Sequence, residues 1–248
     1  MQFTKSLLLL AALTTGSLAH RVHGHARRQS PSSATVSAVP SSSGSASGGS
    51  WTATPASGSY STAGFGSSTA NSGSDITYQG NVGNPWGSNI IQVSESDASN
   101  YKYVAAISGQ NTEPWTVVFW NKYGPDGKMD GWYGNSAVTF TLNAGETNLP
   151  TDSDGGYACT WGEFDFGSNG NSGWSGFDVS AIMAQNAGLT VQGMKMCDVL
   201  SGTCSTITTG AASVDNAYTK AETDIGGIGG NLSGDGPVRI AVTIDYSG

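Results

Sequence analysis

Beyond about residue 74 the chain is written in short runs whose apolar residues recur at every second position. Val138-Thr139-Phe140-Thr141-Leu142 alternates in this way, and so does the stretch from Val238 to Tyr246, VRIAVTIDY. That is the period of a strand with one face in a core. Trp115 to Trp120 is an aromatic and β-branched run of the buried type, in which Trp115 and Trp120 read as core. Between these runs stand dense turn signals, as in Tyr123-Gly124-Pro125-Asp126-Gly127 and Asn143-Ala144-Gly145-Glu146. Helical signals are thin: Ser94-Glu95-Ser96-Asp97 reads as the cap of one short helix, and Val214 to Glu222 as another. Many short strands with turns roughly every ten residues predict an all-β fold, a single β-sandwich domain over residues 74–248. That span is long enough to bury its own core.

The residues ahead of the domain set its surroundings. Lys5 is followed by the apolar run Leu7 to Leu13 and by small residues ending Ser17-Leu18-Ala19. This predicts a secretory signal peptide over residues 1–19, too short to span a bilayer, and therefore an exported protein with no membrane partner. Residues 20–28 end in Arg27-Arg28 and read as a pro-segment removed at the dibasic pair. Residues 29–73 are mostly Ser, Thr, Ala, Gly and Pro, a composition that favours a disordered linker. Trp51, Tyr60 and Phe65 interrupt it as candidates to dock on the domain.

Trimming sharpens the chemistry. His20, His23 and His25 are all the histidines of the chain, so a mature protein beginning at Gln29 has none. Histidine-based nucleophile systems and histidine metal sites are then excluded, and neither a metal nor a cofactor is expected. Four of the ten Lys and Arg but none of the eighteen Asp and Glu precede residue 29, leaving six against eighteen, a net of −12. Such a surface repels phosphate backbones, which argues against a nucleic-acid partner and favours neutral polymers such as polysaccharides.

The chain has three cysteines. Cys197 and Cys204 flank a short hairpin-like loop and are expected to form a disulfide in an oxidising compartment. Cys159 is left over, as a buried free thiol or an intermolecular link. It opens the densest chemical stretch, Tyr157 to Ser180, YACTWGEFDFGSNGNSGWSGFDVS. On a strand, Cys159, Trp161, Glu163 and Asp165 share one face while Phe164 and Phe166 point to the core. The Glu163 and Asp165 carboxylates would then stand about 7 Å apart, near the spacing of inverting glycosidases, a spacing that any acidic pair two apart on a solvated strand also has. Asp178 is a third carboxylate or the cap of the turn that follows it. Asn231-Leu232-Ser233 in a Gly-rich loop is a candidate N-glycosylation sequon.

Five ordered stretches resemble the Asp f 4 family of secreted fungal allergens. They are Gly80 to Ile91 (GNVGNPWGSNII), Pro114 to Lys122 (PWTVVFWNK), Gly131 to Ala137 (GWYGNSA), Cys159 to Phe166 (CTWGEFDF) and Gly173 to Ile182 (GWSGFDVSAI). The resemblance runs from about Trp51 to the C-terminus and implies an IgE-binding extracellular or cell-wall protein; it supplies no catalytic residues. Ser61 stands where members of that family typically carry a cysteine, which supports a free Cys159. A fainter similarity is to thaumatin-like proteins, in which a strand ending Glu-Phe and an Asp-Val-Ser turn border an acidic cleft that in some members binds or cuts β-1,3-glucan. Glu163-Phe164 and Asp178-Val179-Ser180 are similar to that pattern.

Two functional expectations follow. In the first, a non-catalytic protein holds wall β-glucan on exposed tryptophans, with Trp86, Trp132 and Trp174 as candidates because each neighbours glycine or proline, and with Glu163 and Asp178 bonding hydroxyls. In the alternative, a glycoside hydrolase acts through Glu163 with Asp165 or Asp178. An interaction protein with no small ligand is the third possibility.

Overall fold

The computed structural model describes residues 7–10, 50–69, 72–74, 77–142, 153 and 155–248. The rest of the expected signal peptide, the pro-segment with its three histidines, residues 29–49 and the turn at Asn143 to Glu146 lie outside the described residues.

The fold is all-β, as the alternation predicts. Among the described residues twelve strands follow in order: β1 (Leu7–Leu10), β2 (Ile90–Val93), β3 (Tyr103–Gly109), β4 (Trp115–Phe119), β5 (Val138–Leu142), β6 (Trp161–Ser168), β7 (Trp174–Ser180), β8 (Met194–Asp198), β9 (Cys204–Ile207), β10 (Val214–Asp215), β11 (Gly230–Leu232) and β12 (Val238–Ile244). They form a large sheet in the order β10-β9-β8-β12-β3-β1-β2, a small sheet β11-β7-β6 and a ribbon β4-β5. β12 runs parallel to β3 and antiparallel to β8. β1, from the stretch read as the apolar part of a leader, pairs with both β2 and β3.

Alternation decides what each sheet buries. Val238, Ile240, Val242 and Ile244 of β12 join Ala105 and Ile107 of β3 and Met196 and Ile207 of β8 and β9. Phe166, Phe177 and Val179 of the small sheet meet them from the other layer. Each large apolar side chain so buried contributes roughly 1.5 to 3 kcal/mol. The layers approach so closely that a Cβ on Gly162 would lie 2.8 Å from the Met196 sulfur.

The opposite face of the large sheet is covered too, by a segment that composition assigned to the linker. Trp51 and Phe65 pack with Ile91, Val93 and Ala106 against Ala98, Tyr101 and Val104. Phe65 meets Tyr101 edge-on with ring centroids 5.9 Å apart, and the Tyr101 hydroxyl donates to the Ala63 carbonyl at 2.9 Å. The packed part of the chain therefore reaches upstream of Ser74 to about residue 50. Two aromatic anchors, Trp51 and Phe65, tie down a Ser-rich segment that has little core of its own.

Arg239 is the polar centre of that second interface. It lies between the core-facing Val238 and Ile240, so alternation turns it to the arm side, where it is fully buried. Its guanidinium donates to the carbonyls of Ala53 (2.9 Å), Tyr101 (2.9 Å), Lys102 (2.7 Å) and Val238 (3.0 Å).

The Cys197–Cys204 disulfide joins directly opposed residues of β8 and β9, as expected. The helical readings shift. The short helix after Ser94 to Asp97 is one 3-10 turn, residues 98–100, and Asp97 makes no side-chain capping bond to it. Val214–Asp215 is the edge strand β10, and only Lys220–Glu222 is helical, under a capping box formed by Thr219 and Glu222. The one α-helix among the described residues, α1 (Ile182–Asn186), follows β7 where a turn was read.

Replacing Arg239 by Met removes donors from several buried carbonyls and should destabilise the protein by about 2 to 4 kcal/mol. Urea denaturation checks this, with a lower midpoint and faster proteolysis between residues 50 and 69 expected. An unchanged midpoint would show that the arm does not depend on the guanidinium.

Candidate functional site

The small sheet carries its core residues on one face only, and the other face gathers the candidate chemistry. β6 and β7 are antiparallel with Trp161 opposite Ser180, Glu163 opposite Asp178 and Asp165 opposite Gly176. Phe164 and Phe177 are opposed on the core side. Trp174, Gly176 and Asp178 of β7 therefore share a face with Trp161, Glu163 and Asp165 of β6. A bulge between Asp165 and Ser168 lets Gly167 adopt a left-handed φ of 57°, and Gly173 (φ 79°) closes the turn into β7. This re-aims the strand end so that Trp174 stands opposite Ser168 and remains 41% exposed.

Glu163 and Asp178 are direct cross-strand neighbours, with Cβ atoms about 5 Å apart by sheet geometry. Both keep only partial solvent access. Burial raises the Glu163 carboxyl, and the neighbouring Lys122 partly offsets this. Burial also raises Asp178 well above the usual carboxylate range, and the charge of Glu163 pushes it further up. The two titrate as a pair in which Asp178 is the proton holder, because Lys122 stabilises the Glu163 anion. One oxygen of Asp178, Oδ1, is buried with no hydrogen-bond partner among the described residues. Lys122 has its own affinity for a proton lowered by burial, against the attraction of Glu163 and Asp165.

The loop after β4 delivers Lys122 and the aromatics. Asn89 and Asn121 exchange side-chain hydrogen bonds at 2.7 and 2.9 Å in a buried reciprocal pair. Gly131 lies directly against this point: a Cβ there would fall 1.7 Å from the Asn121 carbonyl oxygen. The Gly131 amide donates to the Lys122 carbonyl at 3.0 Å and closes the loop. Trp132 then meets Trp161 at 6.1 Å and Tyr133 at 5.1 Å between centroids, and Trp120 meets Trp161 at 5.3 Å and Tyr157 at 5.1 Å. The Trp161 indole donates to the Tyr157 carbonyl at 3.0 Å. The Trp132 indole nitrogen, by contrast, is buried with no partner among the described residues, and Tyr133 is 42% exposed at the edge.

The residues singled out in the sequence divide accordingly. Glu163, Asp165, Asp178 and Trp174 share one face, and Trp132 reaches it through Trp161. Asp165 is itself buried. Trp86 is committed elsewhere, its indole donating to the Tyr123 carbonyl at 2.8 Å. Cys159, just ahead of β6, is a free thiol that burial pushes up to about 11, which leaves little thiolate at neutral pH. Asn231 is exposed on β11. Sequence reading passed over Lys122, Trp161 as a hub, Tyr133 and Tyr157. Only the parity of Trp161 with Glu163 hinted at any of them.

Among the described residues no group of three or more His, Cys, Asp or Glu is arranged to hold a metal ion, and no helix is long and apolar enough to cross a membrane. A separate open depression, lined by Gln185, Leu189, Val191, Thr219 and Lys220, contains no carboxylate.

The fold and this face define an all-β protein with a paired-carboxyl surface bordered by indoles. Sequence comparison gives its family: the model for the Allergen Asp f 4-like domain matches residues 88–149 and 146–244. The curated protein Allergen Asp f 4 of Aspergillus fumigatus is 44% identical over 321 aligned positions, covering 99% of each chain. The chain belongs to the Asp f 4-like allergen family. No solved structure matches it.

The raised pair has a pH signature. A carboxyl whose folded pKa lies above its unfolded value adds stability below the unfolded value, and that stability is lost as pH rises through the folded one. Asp178→Asn should therefore gain stability relative to the native protein as pH rises from about 4 towards neutrality. Melting temperatures of the two proteins across that range check this; a constant difference would contradict the buried pair.

Proposed function

We propose that this allergen-family protein is secreted and holds a neutral polysaccharide, of the β-glucan type, across the outer face of β6 and β7 at the cell wall or outside the cell. The observation that carries this reading is the directly opposed, partly exposed Glu163 and Asp178, on a face that continues into Trp161, Trp132 and Trp174. Carboxyl oxygens accept hydroxyl hydrogen bonds, and indole faces cover the apolar faces of sugar rings. A net charge of −12 after trimming suits an uncharged polymer. Host IgE enters as a partner through the allergen relative: a compact disulfide-closed domain persists long enough to be recognised.

A second reading rests on a specific feature of the same face. Retaining glycosidases use carboxyl groups about 5 to 5.5 Å apart, one of them protonated. Glu163 and Asp178, directly opposed on neighbouring strands with Asp178 holding the proton, suit such a pair better than Glu163 and Asp165, because Asp165 is buried and faces Gly176.

Mixing the protein with insoluble β-1,3-glucan, and recording depletion and new reducing ends in the same tubes, separates the readings. Depletion without reducing ends is expected, weakened roughly tenfold or more by Asp178→Ala, the loss of a hydrogen bond to a charged or acidic group. Reducing ends that vanish in Glu163→Gln would establish hydrolysis, and neither signal would remove glucan as a ligand.

A further inference from the structure

Asn231, Leu232 and Ser233 form an Asn-x-Ser sequon, and its place in the small sheet ties it to the carboxyl face. β11 is an edge strand whose neighbour is β7, with Gly230 opposite Phe177, Asn231 opposite Gly176 and Leu232 opposite Ser175. The core side is fixed by packing. Leu232 joins the main core, and a Cβ on Gly230 would lie 2.2 Å from the Phe177 ring. Asn231 therefore stands on the other face, in one row with Gly176 and Asp165 and beside the row of Asp178 and Glu163. Adjacent strands are about 4.8 Å apart, so Asn231 lies about 10 Å from Asp165 across the sheet. Between them Gly176 leaves an open lane: a Cβ there would touch only the Gly230 carbonyl oxygen, at 3.5 Å. Asn231 and Ser233 are both exposed. The Asn231 amide donates to the carbonyls of Gly227 (3.0 Å) and Gly229 (3.5 Å). One of its two N–H bonds survives modification, so the loop contact at Gly227 can persist.

The geometry points to Asn231 as an N-glycosylation site whose oligosaccharide lies along the Gly176 lane and covers the Glu163–Asp178 face. In the modification Nδ2 bonds to the anomeric carbon of a lipid-diphosphate-linked oligosaccharide. The bond from that carbon to the diphosphate breaks, the diphosphate leaves with its electron pair, and one amide proton passes to solvent. The bound glycan then competes, as a tethered sugar, with polymer arriving from solution. This second consequence rests on the polysaccharide reading above, whereas the modification and the covering do not.

The test uses the full chain secreted by a eukaryotic host, alongside Asn231→Gln and Ser233→Ala; the latter removes the sequon but leaves Asn231 and its loop contacts in place. Mass spectrometry of the peptide carrying Asn231, before and after peptide-N-glycosidase, reads occupancy. Carbodiimide labelling of carboxyl groups then reads access to Glu163 and Asp178, with Glu95 and Asp126 as exposed controls. The expected result is a glycan on Asn231, and labelling of Glu163 and Asp178 that rises in both variants while the controls stay constant. β-1,3-glucan retention should rise with it, roughly tenfold in apparent Kd. No glycan on Asn231 overturns the proposal, as does a glycan whose removal leaves labelling of the two carboxyls unchanged. If labelling rises but no form retains glucan, the polysaccharide reading fails and the modification stands.

Discussion

The β6–β7 ladder is the constraint on which both the fold and the site depend. Its register places Phe164, Phe166, Phe177 and Val179 in the core and, by the same two-residue period, turns Glu163, Asp178 and Trp174 outward. A slip of one residue would bury the carboxyls against Met196 and expose the phenylalanines. Register is thus held by the largest apolar term available to the small sheet, and the acidic pair is positioned at no separate expense in specificity. The bulge at Gly167 and the turn at Gly173 complete the alignment by setting where β7 begins.

The large sheet plays the supporting part, and it does so by being covered on both sides. One face meets the small sheet across the main core; the other receives the arm at residues 50–69. Burying a guanidinium there is tolerable because it meets four main-chain carbonyls, so that Arg239 satisfies the arm and the sheet together. With its back face closed, the protein leaves the outer face of the small sheet as the surface where the opposed carboxyls, exposed indole and glycine space coincide.

Strand content was legible in the sequence because alternation is a local signal, as at Val138–Leu142 and Val238–Ile244, and the short Cys197 to Cys204 spacing announced its disulfide. The face shared by Glu163 and Asp165 was legible too. What escaped was every feature that depends on pairing between distant segments. Asp178 could be read as a turn cap because nothing local shows that it sits opposite Glu163, fifteen residues earlier. Lys122 is an unremarkable lysine until Asn89, Asn121 and Gly131 fold its loop against the sheet. The arm was read as linker because its anchors, Trp51 and Phe65, are sparse and their partners at Tyr101 and Val104 lie far along the chain.

The central claim is that Glu163 and Asp178 form one coupled, ligand-accepting acid pair. Carbon-13 NMR titration of their side-chain carboxyls, with and without a soluble β-1,3-glucan oligosaccharide, tests it most directly. The account predicts that Asp178 releases its proton last and well above the ordinary carboxylate range, that Glu163→Gln lowers the value at Asp178, and that the oligosaccharide perturbs both resonances. Two independent titrations near pH 4, unmoved by each other and by the sugar, would contradict it.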